Sequence, residues 1–368
     1  MKKFAHAAAA LLATTGLVQA GGIDRAVGTT SILFESGTYV ELGYTFVDPE
    51  VSGTAIGASS GDMAPSFGTG FLRFHNDINE QLSFSFIIDQ PIGADVDYPV
   101  GTGYAFAGST AEISATQFTA ALRYEMDNHV SVYGGPRVIS VDGTAFVNTA
   151  AFAYDLDVSN DIDFGFMVGA AFERPEIALR VALTYFSEIE LNMNGVEGAG
   201  AAGTAPSALP DVASVFDVTL PQSLLLEAQS GIAEGTLLFG SVRWTEWTEF
   251  LIDPALYPPT SALVDYEGDI FTYQIGLARQ LNENWSVAGS LTYEEAVQDF
   301  PGNLGPTDGL LSLGLGAEYT QGNMSIAGGV QYTWLEDTST IVSQTPFLTS
   351  SFTDNNAIAA SIRVGFQF

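Results

Sequence analysis

The sequence predicts an all-β protein: a transmembrane antiparallel β-barrel of about 14 strands with a short N-terminal plug segment. Three observations predict it. Apolar and polar residues alternate with period two along most of the chain. The connections between the alternating segments run long and short by turns, the pattern of an outer-membrane barrel with loops at one rim and tight turns at the other. The composition has 39 Gly, 25 Phe and 14 Tyr but only 15% charged residues, against about 25% in an average soluble domain.

The elements follow in chain order. Lys2 and Lys3 make a positive start, Phe4 to Val18 is mostly apolar, and Val18-Gln19-Ala20 is a small-x-small cleavage site. Residues 1–20 therefore read as a secretory signal peptide, with Gly21 as the first mature residue. The alternative, a membrane anchor, is disfavoured because the apolar run falls short of the roughly 20 residues a helical span needs. Residues 21–37 (GGIDRAVGTTSILFESG) carry the apolar patch Ile32-Leu33-Phe34 and are expected to plug the lumen; the other reading is a periplasmic tail. Residues 38–368 form the barrel.

Strands are expected near 38–47, 66–75, 81–90, 113–125, 129–141, 162–173, 176–190, 213–229, 235–248, 268–281, 284–297, 308–320, 323–336 and 355–368. The last is the clearest: Ile358, Ala360, Ile362, Val364, Phe366 and Phe368 fall on one face, and Ala359, Ser361, Arg363, Gly365 and Gln367 on the other. In 82–89 the alternation holds except at Ile87, where a polar residue is due. Long loops are expected at 48–65, 91–112, 142–161, 191–212, 249–267, 298–307 and 337–354. With both termini periplasmic, every long loop lies outside. Trp244, Trp247, Trp285, Phe366 and Phe368 suit the aromatic girdles of such a barrel.

Composition excludes several function classes. The formal net charge is −32, and removing the leader leaves nine arginines, no lysine and 43 acids. Such a chain cannot neutralise nucleic-acid phosphates. The lack of Cys excludes thiolate metal sites and a Cys nucleophile. An outer-membrane lipase would need a Ser–His pair near the outer leaflet, but the two mature histidines, His75 and His129, map to the periplasmic rim. No catalytic residue, metal or cofactor is expected. A general porin would need a constriction of both charge signs, and nine arginines spread over fourteen strands speak against it. An adhesin or structural barrel is the remaining alternative. The acidic clusters Asp155/Asp157/Asp161/Asp163 and Asp265/Glu267/Asp269 read as a solvated rim or as a hold for a hard cation.

Some positions bear on a ligand. Pro91 cannot donate a ladder hydrogen bond and Gly93 weakens pairing, so the pair distorts the third strand or ends it at its loop. Apolar loop residues, Phe106, Phe146, Ile252 and Tyr257 among them, form a capture groove or pack the loops together. By parity Arg123, Arg243 and Arg363 face the lumen. Arg243, farthest from the periplasmic rim, is the candidate for a ligand carboxylate; the alternative is pairing with lumen acids such as Glu294 or Glu318.

The chain also resembles a family: the outer-membrane transporters of long-chain fatty acids and other hydrophobic compounds, the FadL/TodX type. The resemblance rests on Leu220-Pro221 leading to Gly240–Phe250 (GSVRWTEWTEF), similar to the family's "W-[ST]-x-F" close. It rests also on Tyr273–Ala278 with Trp285–Gly289, and on Gly305-Pro306-Thr307-Asp308 followed by Leu311–Tyr319, similar to "P-x-D-R…S-x-G-x-x-Y". Gln90-Pro91-Ile92-Gly93 with Tyr98 and the terminal Phe368 complete it. The family's N-terminal "N-P-A" is absent, with Thr29-Thr30-Ser31-Ile32 in its place, and Gly309 stands where the family has Arg. The resemblance implies a monomeric 14-stranded barrel in the outer membrane, in contact with lipid and lipopolysaccharide and assembled through Phe368. It implies capture of an apolar ligand by the loops, binding in the lumen against Ile32 and Phe34 of the plug, and lateral exit at a kink in the third strand.

Overall fold

The computed structural model describes residues 23–25, 30–160, 162–258, 262–344 and 346–368; the expected signal peptide lies outside them. Among these residues eighteen strand segments form one closed antiparallel sheet. Four of its staves are broken in two, so the wall has fourteen. Staves 1 to 4 are Thr38–Glu50, Phe67–Asp77, Leu82–Asp89 continued by Gly93–Asp97, and Thr110–Glu125. Staves 5 to 8 are Val130–Asn148, Phe152–Ser159 with Asp163–Arg174, Leu179–Phe186 with Ile189–Ala201, and Val212–Leu220 with Ser223–Ala233. Staves 9 to 14 are Thr236–Thr245, Ile270–Gln280, Trp285–Glu294, Leu310–Gln321, Met324–Leu335 and Asn356–Gln367. Stave 14 closes on stave 1 from Tyr39 opposite Gln367 to Glu50 opposite Asn356, which joins the two ends of the sheet.

Period two places the side chains. On stave 14 Ile358 and Ile362 point to lipid while Ala357, Ala359 and Arg363 are buried inside. On stave 11 Trp285, Leu291 and Tyr293 face out, and Ser286, Ser290, Thr292 and Glu294 face in. The lumen is polar but occupied. Arg73 Nη1 and Arg363 Nη1 each donate to Glu41 at 2.9 Å, and Arg363 Nη2 donates to Glu318 at 2.7 Å. Pairing of this kind offsets the desolvation that penalises an isolated buried ion heavily.

Staves 4 to 8 rise well beyond the membrane, where the polarity of the two faces must invert. In lipid the outward face is apolar; above it the outward face meets water and the inward face can be apolar. The chain achieves this in two ways. In stave 7 the odd strand residues from Leu179 to Met193 are apolar, yet Val181, Leu183 and Tyr185 face out whereas Ile189, Leu191 and Met193 face in. The break at Ser187-Glu188 shifts the phase by one residue, which turns every later side chain to the opposite face. The breaks in staves 3, 6 and 8, at 90–92, after Asn160 and at Pro221-Gln222, do the same: Phe164 and Phe166 face lipid while Leu156 and Val158 are buried. Staves 4 and 5 are unbroken and change their sequence instead, with Ala115, Ile139 and Val141 inside above and Arg123 and Ser131 inside below.

Three expectations need correction. The segments 142–161 and 191–212, expected as loops, are largely strand, because the raised staves continue through them. The loops 48–65 and 337–354 contain short strands of a small outer sheet, Gly53–Ala55, Ala58–Ser59, Thr338–Gln344 and Phe347–Phe352. Trp247 belongs to no girdle: the chain turns inward after Thr245, and Trp247 is buried against Phe250 and Tyr266 at 5.5 and 5.1 Å. Trp334, on the lipid face beside Tyr332, is a girdle residue instead.

Candidate functional site

The inverted upper staves and the loops above them enclose an apolar cavity of about 220 Å3. Its wall includes Ala145, Val158, Met193 and Val218 from the raised staves, Phe250, Leu263 and Tyr266 from the loop after stave 9, and Leu304 from the loop after stave 11. Cavities of this kind, mostly apolar with few polar groups, are the usual form of a small-molecule site.

One side of the cavity is a discontinuity in the wall. Stave 2 pairs with stave 3 only from Leu72 opposite Ile88 to Asp77 opposite Ser83, although stave 2 continues along stave 1 up to Phe67. The upper half of stave 3, Gly93–Asp97, pairs with stave 4. The ladder between 67–71 and 90–97 is therefore open, a condition lipid tolerates only beside a cavity or where something fills the gap. Two things fill it. The Gln90 side chain accepts the Gly70 N–H at 3.0 Å. From within, Ile23-Asp24-Arg25 adds a short antiparallel bridge, Asp24 opposite Ile92: the Arg25 N–H donates to the Pro91 carbonyl at 2.8 Å and the Gly93 N–H to the Ile23 carbonyl at 2.9 Å.

The tripeptide is held by its side chains as well. Arg25 pairs with Asp95 of stave 3 and lies over the Phe67 ring of stave 2 at 4.1 Å, bridging the two edges of the gap. A Cβ at Gly93 would fall 2.4 Å from Arg25 Nε, so any larger residue there would force the arginine side chain to shift. Asp24 Oδ2 accepts from Arg243 Nη1 at 2.8 Å. Arg243 is thus already paired, and with neither Glu294 nor Glu318: Glu294 accepts from Thr272, and Glu318 holds Arg363.

Lower down, Ser31–Phe34 forms a 3-10 turn whose four residues are all buried. Ile32, Leu33 and Phe34 pack with Ile87, Ala121, Tyr133 and Met167. Ile87 is where the alternation of stave 3 fails, and the reason is this contact: an apolar residue faces the lumen because an apolar segment sits there. Phe34 meets Tyr133 edge-on at 5.7 Å, and the guanidinium groups of Arg180 and Arg123 lie 4.3 and 4.9 Å from its centre. Thr30 Oγ1 donates to Glu227 across the lumen.

The sequence-predicted positions separate into groups. Gly93 lines the cavity, and Pro91 stands at the break in stave 3, with strand continuing on both sides. Arg243 lies behind Asp24, which does line the cavity. Ile32 and Phe34 belong to the lower cluster, away from the cavity wall. Phe106 packs with Tyr98 and Tyr104 in the loop after stave 3. Phe146 points to the outer face; its neighbour Ala145 is on the cavity wall, because stave 5 keeps odd residues inward. Ile252 lines the cavity, whereas Tyr257 packs on Tyr154 at 5.0 Å. The acids of the clusters take up neighbouring groups: Asp163 accepts from Asn160 and Asn192, and Asp269 from Trp244 and Thr248. Asp161 lies outside the described residues. Sequence reasoning did not single out Asp24 and Arg25. The one available signal was an acid and a base in an otherwise apolar, glycine-rich stretch.

A family model described as outer membrane protein transport protein (OMPP1/FadL/TodX) matches residues 32–345. No curated protein matches the chain. Among solved structures, a Pseudomonas aeruginosa FadL homologue is 14% identical, with 92% of each chain covered and a TM-score of 0.79. The Pseudomonas putida toluene transporter TodX is 11% identical, covering 93% of this chain and 94% of its own, at a TM-score of 0.68. The Ralstonia pickettii toluene transporter TbuX is 13% identical, covering 91% and 90%, at 0.65. These likenesses concern the fold; the family match extends over most of the sequence. The chain belongs to the OMPP1/FadL/TodX family of outer-membrane transport proteins, which are channels of the Gram-negative outer membrane and not enzymes.

Proposed function

We infer that the protein carries hydrophobic small molecules, long-chain fatty acids or hydrocarbons, passively across the outer membrane. The loops capture the molecule, the cavity holds it, and it leaves sideways into the lipid between staves 2 and 3. One observation carries this reading: the apolar cavity abuts an unpaired stretch of barrel wall, while the lumen below it is filled by ion pairs and by the Ile32–Phe34 cluster. An oily molecule gains by moving from the cavity into the membrane core, roughly 25 cal/mol for each Å2 kept from water, and gains nothing by entering a charged lumen. The toluene transporters among the solved relatives speak for the same substrate class. In this reading residues 21–37 act as the hatch and 38–368 as a monomeric barrel. The barrel is embedded in lipid and lipopolysaccharide, and the exposed terminal Phe368 engages the assembly machinery.

The test is photocrosslinking with a radiolabelled diazirine hydrocarbon on protein in native outer membranes, followed by mapping of the labelled peptides. Label in the cavity wall and along 67–71 and 90–97 is expected. Label concentrated in the periplasmic turns 126–129 and 175–178 would overturn lateral release. Mass spectrometry of molecules that co-purify with the protein identifies the natural cargo.

A further inference from the structure

We propose that Asp24 is a specificity-determining residue that makes the cavity select uncharged hydrophobic cargo over carboxylated cargo. This rests on the transport reading above and names its substrate class.

Arg243 is the basic group best placed to receive the head of a carboxylated molecule, but its Nη1 is taken by Asp24 Oδ2 at 2.8 Å. The two side chains are nearly closed to solvent, at 13% and 6% exposure. Asp24 lines the cavity and Arg243 does not. A molecule in the cavity therefore meets a carboxylate first and reaches the guanidinium only by displacing it. Displacement is unfavourable for two reasons. Asp24 is tethered: its peptide bridges Ile92, and the residues on either side bond Gly93 and Pro91. A tethered group faces its partner at an effective concentration in the millimolar range or above, which scarce dissolved cargo does not match. Once displaced, Asp24 would be a buried charge without a partner, a costly state. The other charged groups at that wall do not offset this. Arg25 is spoken for by Asp95, Arg137 acts on the same Asp24 carboxylate but donates to Gln117 and the Ser187 carbonyl, and Asp265 and Glu112 add further acids. A second carboxylate brought into this low-dielectric space is repelled, while an uncharged apolar molecule of the same length meets a mostly apolar wall and carries no charge for its acids to repel.

The test compares decanol with decanoate at pH 8, where decanoate is ionised. Binding of each radiolabelled compound to full-length protein in detergent is measured by equilibrium dialysis, with protein-free micelles subtracted. Wild type is expected to bind decanol, and to bind decanoate at least tenfold more weakly. Asp24→Asn should strengthen decanoate binding tenfold or more and leave decanol within twofold. Asp24→Asn combined with Arg243→Gln should return decanoate to weak binding, which a merely structural role of Asp24 would not produce. Heat-modifiable gel mobility checks that each variant is a closed barrel. If Asp24→Asn does not assemble, Asp24→Ser serves: decanoate binding must strengthen tenfold or more relative to decanol, and an unchanged ratio overturns the proposal. Wild type binding both compounds equally, or Asp24→Asn moving both by the same factor, overturns the proposal. Wild type binding neither overturns the transport reading itself, and the proposal with it.

Discussion

Phe34→Ala isolates the seal at the base of the lumen. The Phe34 ring is buried, sits edge-on to Tyr133 at 5.7 Å and is flanked by two guanidinium groups at 4.3 and 4.9 Å. Truncating a buried Phe costs about 3–5 kcal/mol in a close-packed core, and the cation–π contacts add about 0.5–1 kcal/mol each at partly hydrated sites. The lumen around the ring is more polar than a core, so about 3 kcal/mol is the appropriate scale. The ring is on the Ser31–Phe34 turn and in none of the barrel's ladders, so under the proposed hatch role the cost falls on seating that segment rather than on closing the barrel. At tenfold per about 1.4 kcal/mol, the unseated fraction should rise roughly a hundredfold. Planar-bilayer recording reads this as far more frequent opening events than wild type shows, with unchanged heat-modifiable mobility confirming the barrel. Deleting residues 23–34 should give steady conductance and sets the upper limit. A folded Phe34→Ala protein as silent as wild type, beside a conducting deletion, would refute the reasoning.

Other perturbations have equally definite outcomes. Glu41→Gln leaves Arg73 and Arg363 without their shared carboxylate, and losing one member of a buried ionic cluster costs about 3–5 kcal/mol; the temperature at which the barrel loses its compact gel mobility should fall, while Glu176→Gln in the exposed pair with Arg174 should not move it. Gly135→Ala places a Cβ 1.8 Å from the Ala120 carbonyl oxygen, so staves 4 and 5 must part and assembled yield should drop sharply, whereas Gly302→Ala meets nothing within 4 Å and should be silent in the same assay. Asp308, in the outer loop before stave 12, accepts from the Val297 and Gln298 N–H groups at 2.8 and 2.6 Å, and burial pushes its carboxyl above the ordinary value. A raised carboxyl favours the folded loop in its protonated form, so that contribution is complete below the ordinary carboxylate value and fades as pH rises through the raised one. Limited proteolysis of 298–307 should therefore be slower at pH 4 than at pH 7, with Asp308→Asn flattening the difference.

Legibility in the sequence followed the physics of the two environments. Within the membrane, apolar-out and polar-in is imposed on every stave, so the number, order and approximate limits of the staves could be read directly, as could the inward placement of Arg123, Arg243 and Arg363. Above the membrane the rule reverses. Leu191 and Met193 continue the alternation of Val181 and Leu183, and nothing in a list of apolar positions reveals that Ser187-Glu188 has turned them from lipid to cavity. Ala145 and Phe146 both read as apolar residues of a loop, and only the strand that runs through them separates the two, turning Ala145 to the cavity and Phe146 to the outer face. Ile87 was visible as an irregularity, but its cause, the Ile32–Phe34 turn packed against it, is a contact between segments more than fifty residues apart.

The sequence by itself determined the barrel and its fourteen staves, because hydrophobic alternation and loop length are local properties that lipid and water act on residue by residue. Only the tertiary structure decided which partner each lumen arginine takes. Arg243 and Asp24 lie 219 residues apart, and their pairing depends on the N-terminal tripeptide lying across the open ladder of stave 3, where the backbone groups left unpaired by Pro91 and Gly93 need partners.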